Sequence, residues 1–215
     1  MKLSNITLDW LGHSGFLIQA LNKIIYIDPF NINVNIKADI ILITHNHYDH
    51  CSIKDIEKIA KDNTIIIMPV DCQSSITKIN KKIQMKILQP RQGIKLDGIE
   101  IIAVPAYNIN KSFHPKAEEW NGYIITLAGI RIYHAGDTDL IPEMSKLGKI
   151  DLALLPIGGN YTMNASEAAE AASIIKPKLA VPIHWGAIIG NKQDAEKFVN
   201  FCRQEEIKAM ILEKR

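Results

Sequence analysis

Cysteine is scarce in this sequence, and its three residues are too few and too dispersed to form a disulfide framework. Cys51, Cys72 and Cys202 are spread over a chain of 215 residues. An odd, widely spaced set of thiols is typical of a reducing compartment, so we expect a cytoplasmic protein with reduced cysteines. Cys51 directly follows a histidine, and we interpret it as a small buried residue rather than a metal or redox group.

Long apolar runs, internal repeats and an excess of charge of one sign are lacking as well. No apolar stretch approaches the roughly 20 residues that span a bilayer, and the first ten residues lack the apolar core of a signal peptide. With 25 basic and 23 acidic residues, the formal charge is only +2, which gives no basic surface for nucleic acid. We therefore expect one soluble domain over residues 1–215 that acts on a small molecule, without a nucleic-acid or membrane partner. The oligomeric state is left open.

The chain does contain a dense run of metal-ligating residue types in the segment IILITHNHYDH, residues 40–50. His45, His47, Asp49 and His50 fall within six positions, although the whole chain has only seven histidines. Side chains two apart on an extended segment point the same way, so His45 and His47 project together. Asp49 and His50 are adjacent and cannot easily join them around one ion. The spacing therefore predicts two metal ions with imidazole and carboxylate ligands.

Apolar periodicity and turn signals predict two sheet-forming halves, each of which also supplies helices. Strands are predicted over residues 6–10, 16–20, 24–28, 40–43, 64–68, 85–88, 93–96, 99–104, 122–127, 130–134, 151–155 and 179–183. Helices are predicted after Ser52, where Asp55 would complete a capping box, then weakly after Asp71, and over residues 164–176 and 193–204. Such halves favour a sandwich of two β-sheets with helices outside.

Ligand-type residues recur where apolar strands end. One strand runs into His45, a second into Asp137 and a third into His184, so these side chains would converge if the strand ends share one edge of the sandwich. Gly136 would allow a close backbone approach beside Asp137, whose two oxygens suit it to bridge two ions. Residues 105–119 form a long stretch without periodicity that contains His114, and such loops are often functional.

The segments THNHYDH, HAGDT and PIHW together resemble the metallo-β-lactamase superfamily. LGHSGFLI and LLPIGGNYTM further resemble its small, stand-alone hydrolases related to ascorbate-6-phosphate lactonases and N-acylphosphatidylethanolamine phospholipases. The resemblance covers nearly the whole chain. It implies an α+β fold, a four-layer αββα sandwich of two mixed β-sheets flanked by helices. It also implies two divalent metal ions, Zn²⁺ in the first place, with Mn²⁺ or Fe²⁺ as alternatives.

The resemblance also assigns the ligands. His45 and His47 would bind the first ion, Asp137 would bridge, and the second ion would be held by Asp49, His50 and His184. A third histidine for the first ion is expected shortly after Val104, but Asn108 stands in that neighbourhood. We expect His114 to replace it, with Asn108 near the metal as the alternative.

Several further residues are candidates for roles around the ions. Asp28 resembles an early aspartate that orients the metal loop by a hydrogen bond. His13 is either a substrate-binding group or a hydrogen-bonded structural histidine. His134 is expected inside the sheet, Tyr161 at the border of the pocket and Trp185 in its wall.

This site predicts hydrolysis by a hydroxide held between two metal ions. The substrate expected first is a lactone or similar ester, and the alternative is a small or lipid phosphodiester. Asp49, Asp137 and His13 are the candidate catalytic residues, and the proton for the leaving group would come from Asp49, His13 or a bound water. From a different class, the domain would be a metal-binding sensor or partner-binding module without turnover.

Overall fold

The computed structural model describes residues 1–215 and contains two β-sheets. The first sheet has seven strands, which lie side by side in the order of the chain. They are β1 (Lys2–Leu3), β2 (Ile6–Gly12), β3 (Gly15–Ala20), β4 (Lys23–Ile27), β5 (Ile40–Leu42), β6 (Ile65–Met68) and β7 (Gln84–Ile87). Strands β1 to β4 pair antiparallel, and β4 to β7 pair parallel, so the sheet is mixed.

The second sheet repeats this plan with six strands. They are β8 (Gly93–Leu96), β9 (Ile99–Pro105), β10 (Asn121–Leu127), β11 (Ile130–His134), β12 (Leu152–Pro156) and β13 (Leu179–Ile183). Strands β8 to β11 are antiparallel neighbours, and β11 to β13 are parallel. Two hairpin turns form at Asp97-Gly98 and Ala128-Gly129, where both residues of each pair have positive φ, as the predicted turns require.

Four α-helices cover the outer faces of the sheets. They are α1 (Ile53–Ile59), α2 (Gln73–Ile76), α3 (Ala165–Ile175) and α4 (Lys192–Gln204). Helices α1 and α2 bury their apolar residues in a cluster with Tyr26 and Ile41 of the first sheet. Helices α3 and α4 pack against each other and against β12 and β13. No helix of this chain is both long and apolar enough to span a membrane.

The largest core cluster fills the space between the sheets. Apolar side chains that alternate along the first sheet, such as Phe16 and Ile18, join others from the second sheet, such as Ile125 and Leu154, in one cluster of 49 buried residues. Burial of each such side chain contributes roughly 1.5–3 kcal/mol. The expected four-layer αββα sandwich with two mixed sheets is thus confirmed.

The predicted capping box at the start of α1 is wrong. Ser52 does precede the helix, but it makes no side-chain cap to the helix backbone. Its hydroxyl instead donates to Oδ2 of Asp55 at 2.6 Å, and the Asp55 carboxylate accepts from the backbone N–H groups of Asn31 and Ile32. Asp55 therefore ties the loop before β5 to the helix. The same Ser-x-x-Asp pattern can form either a capping box or contacts with a distant loop, and tertiary contacts determine which of the two forms here.

Candidate metal centre

The ends of three strands from the two sheets meet at one edge of the sandwich. His45 follows β5, Asp137 follows β11, and His184 directly follows β13. Two hydrogen bonds join the sheets there: the Tyr123 hydroxyl donates to the carbonyl oxygen of Ile43 at 2.8 Å, and the Asn121 N–H donates to the carbonyl oxygen of Thr44 at 3.0 Å. The segment with four clustered ligand types is therefore held against the second sheet.

A first group of candidate ligands contains His45, His47 and His114. One ring nitrogen of each lies within 4.8 Å of the others, a spacing that three ligands of one ion can adopt. Nε2 of His45 is 3.0 Å from Nδ1 of His47. The Trp120 ring packs against both, with centroid distances of 4.8 and 4.9 Å, and closes the group on one side.

A second group contains Asp49, His50 and His184, and His13 joins it. Their candidate ligand atoms also lie within 4.8 Å of one another. Nε2 of His13 is 2.9 Å from Oδ2 of Asp49, and that oxygen is 3.5 Å from Nε2 of His50. The sequence suggested substrate binding or a structural role for His13, and the structure places it among the candidate ligands.

Asp137 lies between the two groups. Its Oδ2 is 2.9 Å from Nε2 of His184 and 3.2 Å from Nε2 of His114, while its Oδ1 is 3.4 Å from Nε2 of His50. The backbone reaches this position because Gly136 has φ +65° and no Cβ; a Cβ there would lie 2.6 Å from the carbonyl oxygen of Asn121. One carboxylate thus faces imidazoles of both groups.

Several buried polar atoms in the centre have no hydrogen-bond partner. They include Nε2 of His50, Nε2 of His114 and Oδ1 of Asp137. An unpartnered buried polar atom costs about 1–3 kcal/mol, so such atoms rarely occur together without a reason. Each is a potential ligand atom that points into the cluster, and a divalent cation would satisfy all of them. Imidazole nitrogens with carboxylate oxygens suit Zn²⁺, Mn²⁺ or Fe²⁺.

The protonation states match metal ligation at most positions. Burial lowers the pKa of His45 well below its usual range, and burial together with the His114 ring lowers the pKa of His47, so both rings are neutral. Burial opposes ionisation of Asp137, but the His184 and His50 rings outweigh it and hold its pKa well below the ordinary value. Burial likewise disfavours a charged His50, yet Asp137 and Asp28 raise its pKa well above the usual range.

Asp28 orients His50 by a hydrogen bond with Nδ1, the ring nitrogen that faces away from the other ligands. Its Oδ2 lies 2.8 Å from Nδ1 of His50 and accepts from the Thr44 hydroxyl at 2.7 Å, while Oδ1 accepts from the Thr44 N–H at 2.9 Å. With Nδ1 of His50 donating to this carboxylate, Nε2 is left for a metal ion. The role predicted for Asp28 corresponds to these contacts.

Asn108 plays the equivalent part for His114. Its Oδ1 accepts from the His114 N–H at 3.0 Å and lies 3.0 Å from Nδ1 of the same ring. Its Nδ2 donates to Oδ1 of Asp139 at 3.1 Å and to the carbonyl oxygen of Tyr161 at 2.9 Å. Asn108 thus contacts the side of the His114 ring that carries Nδ1.

Three residues of the centre adopt left-handed backbone conformations that no sequence pattern predicts. His13 has φ +52°, Asp28 +42° and His184 +59°. Such conformations cost on the order of 1–3 kcal/mol for residues with a Cβ and tend to occur at functional sites. They turn the chain sharply at strand ends and aim the side chains into one place.

An open cavity of about 220 Å³ leads to the centre. Its lining combines candidate ligands with apolar side chains: His47, Tyr48, Asp49, Phe113, His114, Asp137, Tyr161, His184 and Ile188. Tyr161 borders the pocket as expected. Tyr48, Phe113 and Ile188 were missed, because isolated apolar residues in loops carry no periodic signal.

Three other expectations concern residues next to the ligands. Trp185 does not line this cavity; it stacks on Trp10 at a centroid distance of 4.7 Å, so its predicted place in the wall is wrong. His134 lies inside the sheet, where Nε2 donates to the carbonyl oxygen of Ser14 at 2.9 Å. Cys51 is a buried free thiol in the cluster beneath α1 and belongs to no ligand group.

An αββα sandwich with histidines and aspartates gathered at the edge where its two sheets meet is the architecture of the metallo-β-lactamase fold. Residues 7–184 match the family model described as a beta-lactamase superfamily domain, and the chain belongs to that superfamily. It is 34% identical over 210 residues to the UPF0173 metal-dependent hydrolase of Archaeoglobus fulgidus, covering 88% of this chain and 87% of that one.

Solved structures agree with this assignment. A crystal structure from Parabacteroides distasonis, assigned as a metal-dependent hydrolase, superposes with a TM-score of 0.87 at 34% identity, covering 98% of this chain and 94% of the other. Igni18, a metallo hydrolase from Ignicoccus hospitalis, gives 0.79 at 27% identity, with 97% and 95% covered. The protein is accordingly a metal-dependent hydrolase.

Proposed function

We propose that the protein hydrolyses a lactone or another small ester with the help of two divalent metal ions, Zn²⁺ in the first place. The observation that carries this proposal is the position of Asp137, whose oxygens lie 2.9 to 3.4 Å from imidazole nitrogens of both ligand groups. A carboxylate between two groups of imidazoles is suited to bridge two cations.

In this proposal each of the two ligand groups would hold one ion. His45, His47 and His114 would hold the first, Asp49, His50 and His184 would hold the second, and Asp137 would contribute to both. When bound, two such cations make water nucleophilic at neutral pH and polarise the oxygen of the scissile carbonyl.

Proton transfer is assigned to Asp49. Its carboxylate lines the cavity, whereas His13 does not. We infer that Asp49 accepts a proton from the attacking water and passes it to the leaving group. Burial opposes its ionisation, but hydrogen bonds from His13 and His50 hold the pKa of Asp49 well below its ordinary value, so it would release that proton readily. His13, 2.9 Å from Oδ2 of Asp49, orients that carboxylate by hydrogen bonding to it.

The test combines metal analysis with turnover. Protein freed of metal by a chelator and reloaded with Zn²⁺, Mn²⁺ or Fe²⁺ is offered a panel of lactones and 4-nitrophenyl esters, with bis(4-nitrophenyl) phosphate alongside. We expect ester hydrolysis that needs the added metal and two ions per chain by elemental analysis. Turnover of the phosphodiester alone would favour the phosphodiesterase alternative, and two bound ions with no turnover of any substrate would favour a metal-binding module.

The bridging role has its own variant. Asp137→Ala should lose most of the bound metal and lower kcat/KM by at least about a hundredfold, because both ions lose a shared ligand. His134→Gln is the matched control, since His134 is buried nearby but belongs to no ligand group. An Asp137→Ala protein that keeps two ions per chain would contradict the assignment.

A further inference from the structure

The mouth of the cavity is apolar although its floor is polar. Three large hydrophobic side chains there are exposed: Tyr48 by 68%, Phe113 by 45% and Ile188 by 41%. The chain exposes only ten large hydrophobic side chains in all, so three around one opening are an unusual clustering of exposed apolar surface. Exposed apolar side chains gathered at one place mark a binding surface, whereas scattered ones need no explanation.

Two of these side chains, Tyr48 and Phe113, are held in place by aromatic contacts. The Phe113 ring meets Tyr161 edge to face at a centroid distance of 4.7 Å, and the Tyr48 ring meets Phe30 in the same manner at 5.8 Å. Such pairs contribute about 0.5–1.5 kcal/mol beyond the burial of their area. Tyr48, Phe113 and Ile188 come from three separate loops, so the apolar mouth is built by the fold rather than by one segment.

No lysine or arginine lines the cavity. The nearest in sequence to Phe113 is Lys111, whose Nζ is engaged by Oδ1 of Asp139 at 2.6 Å and by the carbonyl oxygen of Thr162 at 2.7 Å. Lys116 is paired with Glu143 at 3.3 Å. A phosphate or carboxylate on a substrate, held away from the metal ions, would therefore find aromatic and aliphatic walls without a cationic partner.

We propose that this mouth selects an uncharged substrate, in which a small aryl or alkyl group packs against Tyr48, Phe113 and Ile188. This inference rests on the proposed function, because it places the scissile carbonyl at the metal centre. The cavity of about 220 Å³ is smaller than the roughly 300–1,000 Å³ of drug-sized sites, so the part of the substrate that it encloses is small. Sugar phosphates and other substrates with a distal anion are disfavoured.

The test uses three hydroxamates that share one chelating head and differ in the tail. Acetohydroxamic acid has no tail, 4-phenylbutanohydroxamic acid has an aryl tail, and adipic acid monohydroxamate ends in a carboxylate. Their Kd values for the metal-loaded protein are measured by isothermal titration calorimetry, without any turnover. Burial of the phenyl ring should make the aryl compound bind about tenfold more tightly than acetohydroxamic acid. The carboxylate tail should give no gain.

Variants test whether the tighter binding of the aryl compound comes from the apolar mouth. Phe113→Ala and Ile188→Ala should each reduce the ratio of the acetohydroxamate Kd to the phenylbutanohydroxamate Kd by about threefold or more. The ratio cancels changes in the strength of chelation. Ile174→Ala is the control, because Ile174 is exposed by 42%, like Ile188, but lies on α3 away from the cavity. Ile188→Lys should tighten binding of the carboxylate-tailed compound relative to the aryl one.

The outcomes separate this inference from the function on which it rests. Native protein that binds the carboxylate tail as tightly as the phenyl tail, or more tightly, would overturn the selection for uncharged groups. Protein that prefers the phenyl tail but hydrolyses no ester contradicts the proposed function alone. Hydrolysis of esters with no phenyl preference contradicts only the apolar mouth.

Discussion

At the scale of single residues, the centre depends on positions where a side chain would not fit. A Cβ added to Gly158 would lie 2.6 Å from Nδ1 of His184 and 2.9 Å from Cγ2 of Ile189. Gly158 is not itself a ligand, and its φ lies outside the left-handed region that would require glycine. Its lack of a side chain leaves the space in which the His184 ring turns toward Asp137.

Gly158→Ala should therefore weaken metal binding more than it weakens the fold. We expect the added methyl group to displace the His184 ring and raise the Kd of one of the two ions by about 10- to 100-fold, as other changes behind metal ligands do. Competitive titration with a metal-sensitive dye measures this. Gly93→Ala is the control, because its nearest neighbour, the Ile101 carbonyl oxygen, lies 3.2 Å from the added Cβ and far from the ligands. Equal metal affinity of both variants would contradict the steric role of Gly158.

At the scale of elements, the loop between β9 and β10 is held in place by side-chain hydrogen bonds rather than by regular secondary structure. Asp139 accepts from Nδ2 of Asn108 at 3.1 Å, from the Ile109 N–H at 3.0 Å and from Nζ of Lys111 at 2.6 Å. Asn108 in turn holds the His114 N–H. A chain of contacts thus positions a candidate ligand on a segment that has only a short 3-10 turn, Lys116–Glu118, of its own.

Asn108→Ala tests this chain of contacts. The His114 ring would lose one of the two oxygens beside its Nδ1, because the Tyr161 carbonyl oxygen also lies 3.1 Å from that nitrogen. We therefore expect one ion to bind about tenfold more weakly, while His114→Ala should abolish that site. Asn110→Ala, an exposed change in the same loop, should have no effect. Elemental analysis across a metal titration distinguishes the three proteins. If His114→Ala keeps its metal while Asn108→Ala loses it, the ligand is Asn108.

At the scale of the whole molecule, the fold and the ligand set follow from the sequence to different degrees. Strands and helices were predictable because apolar alternation and turn residues such as Asp97-Gly98 act locally. The convergence of His45, Asp137 and His184 was predictable because parallel strands end at one edge. The left-handed turns at His13 and His184 depend on distant packing, and so do the partners of Asp55 and the apolar mouth. No local pattern encodes these.

The contact between the sheets offers a test at this scale. Tyr123→Phe removes the buried hydrogen bond to the Ile43 carbonyl and should lower the free energy of unfolding by about 1–2 kcal/mol, measured by urea denaturation. Tyr133→Phe is the matched control, since Tyr133 is equally buried and its hydroxyl makes no hydrogen bond. A larger loss for Tyr133→Phe would show that packing, rather than the bond between sheets, determines stability here.

Metal binding should also stabilise the protein as a whole. An ion that binds only the folded chain adds about 2.7 kcal/mol when its concentration is a hundred times its Kd. Differential scanning calorimetry should therefore give a Tm that rises with free Zn²⁺ for the native chain. Asp137→Ala should lack this rise, and His134→Gln should retain it. A Tm that is independent of metal in the native chain would contradict the two ligand groups.

The proposed ligands come from both halves of the chain. His45, His47, Asp49 and His50 lie after a strand of the first sheet, whereas His114, Asp137 and His184 lie after strands of the second. Each ion would therefore cross-link two halves that otherwise pack through their apolar faces. Loss of metal would then cost the protein stability as well as catalysis, because it removes these cross-links and leaves the apolar core alone to join the sheets.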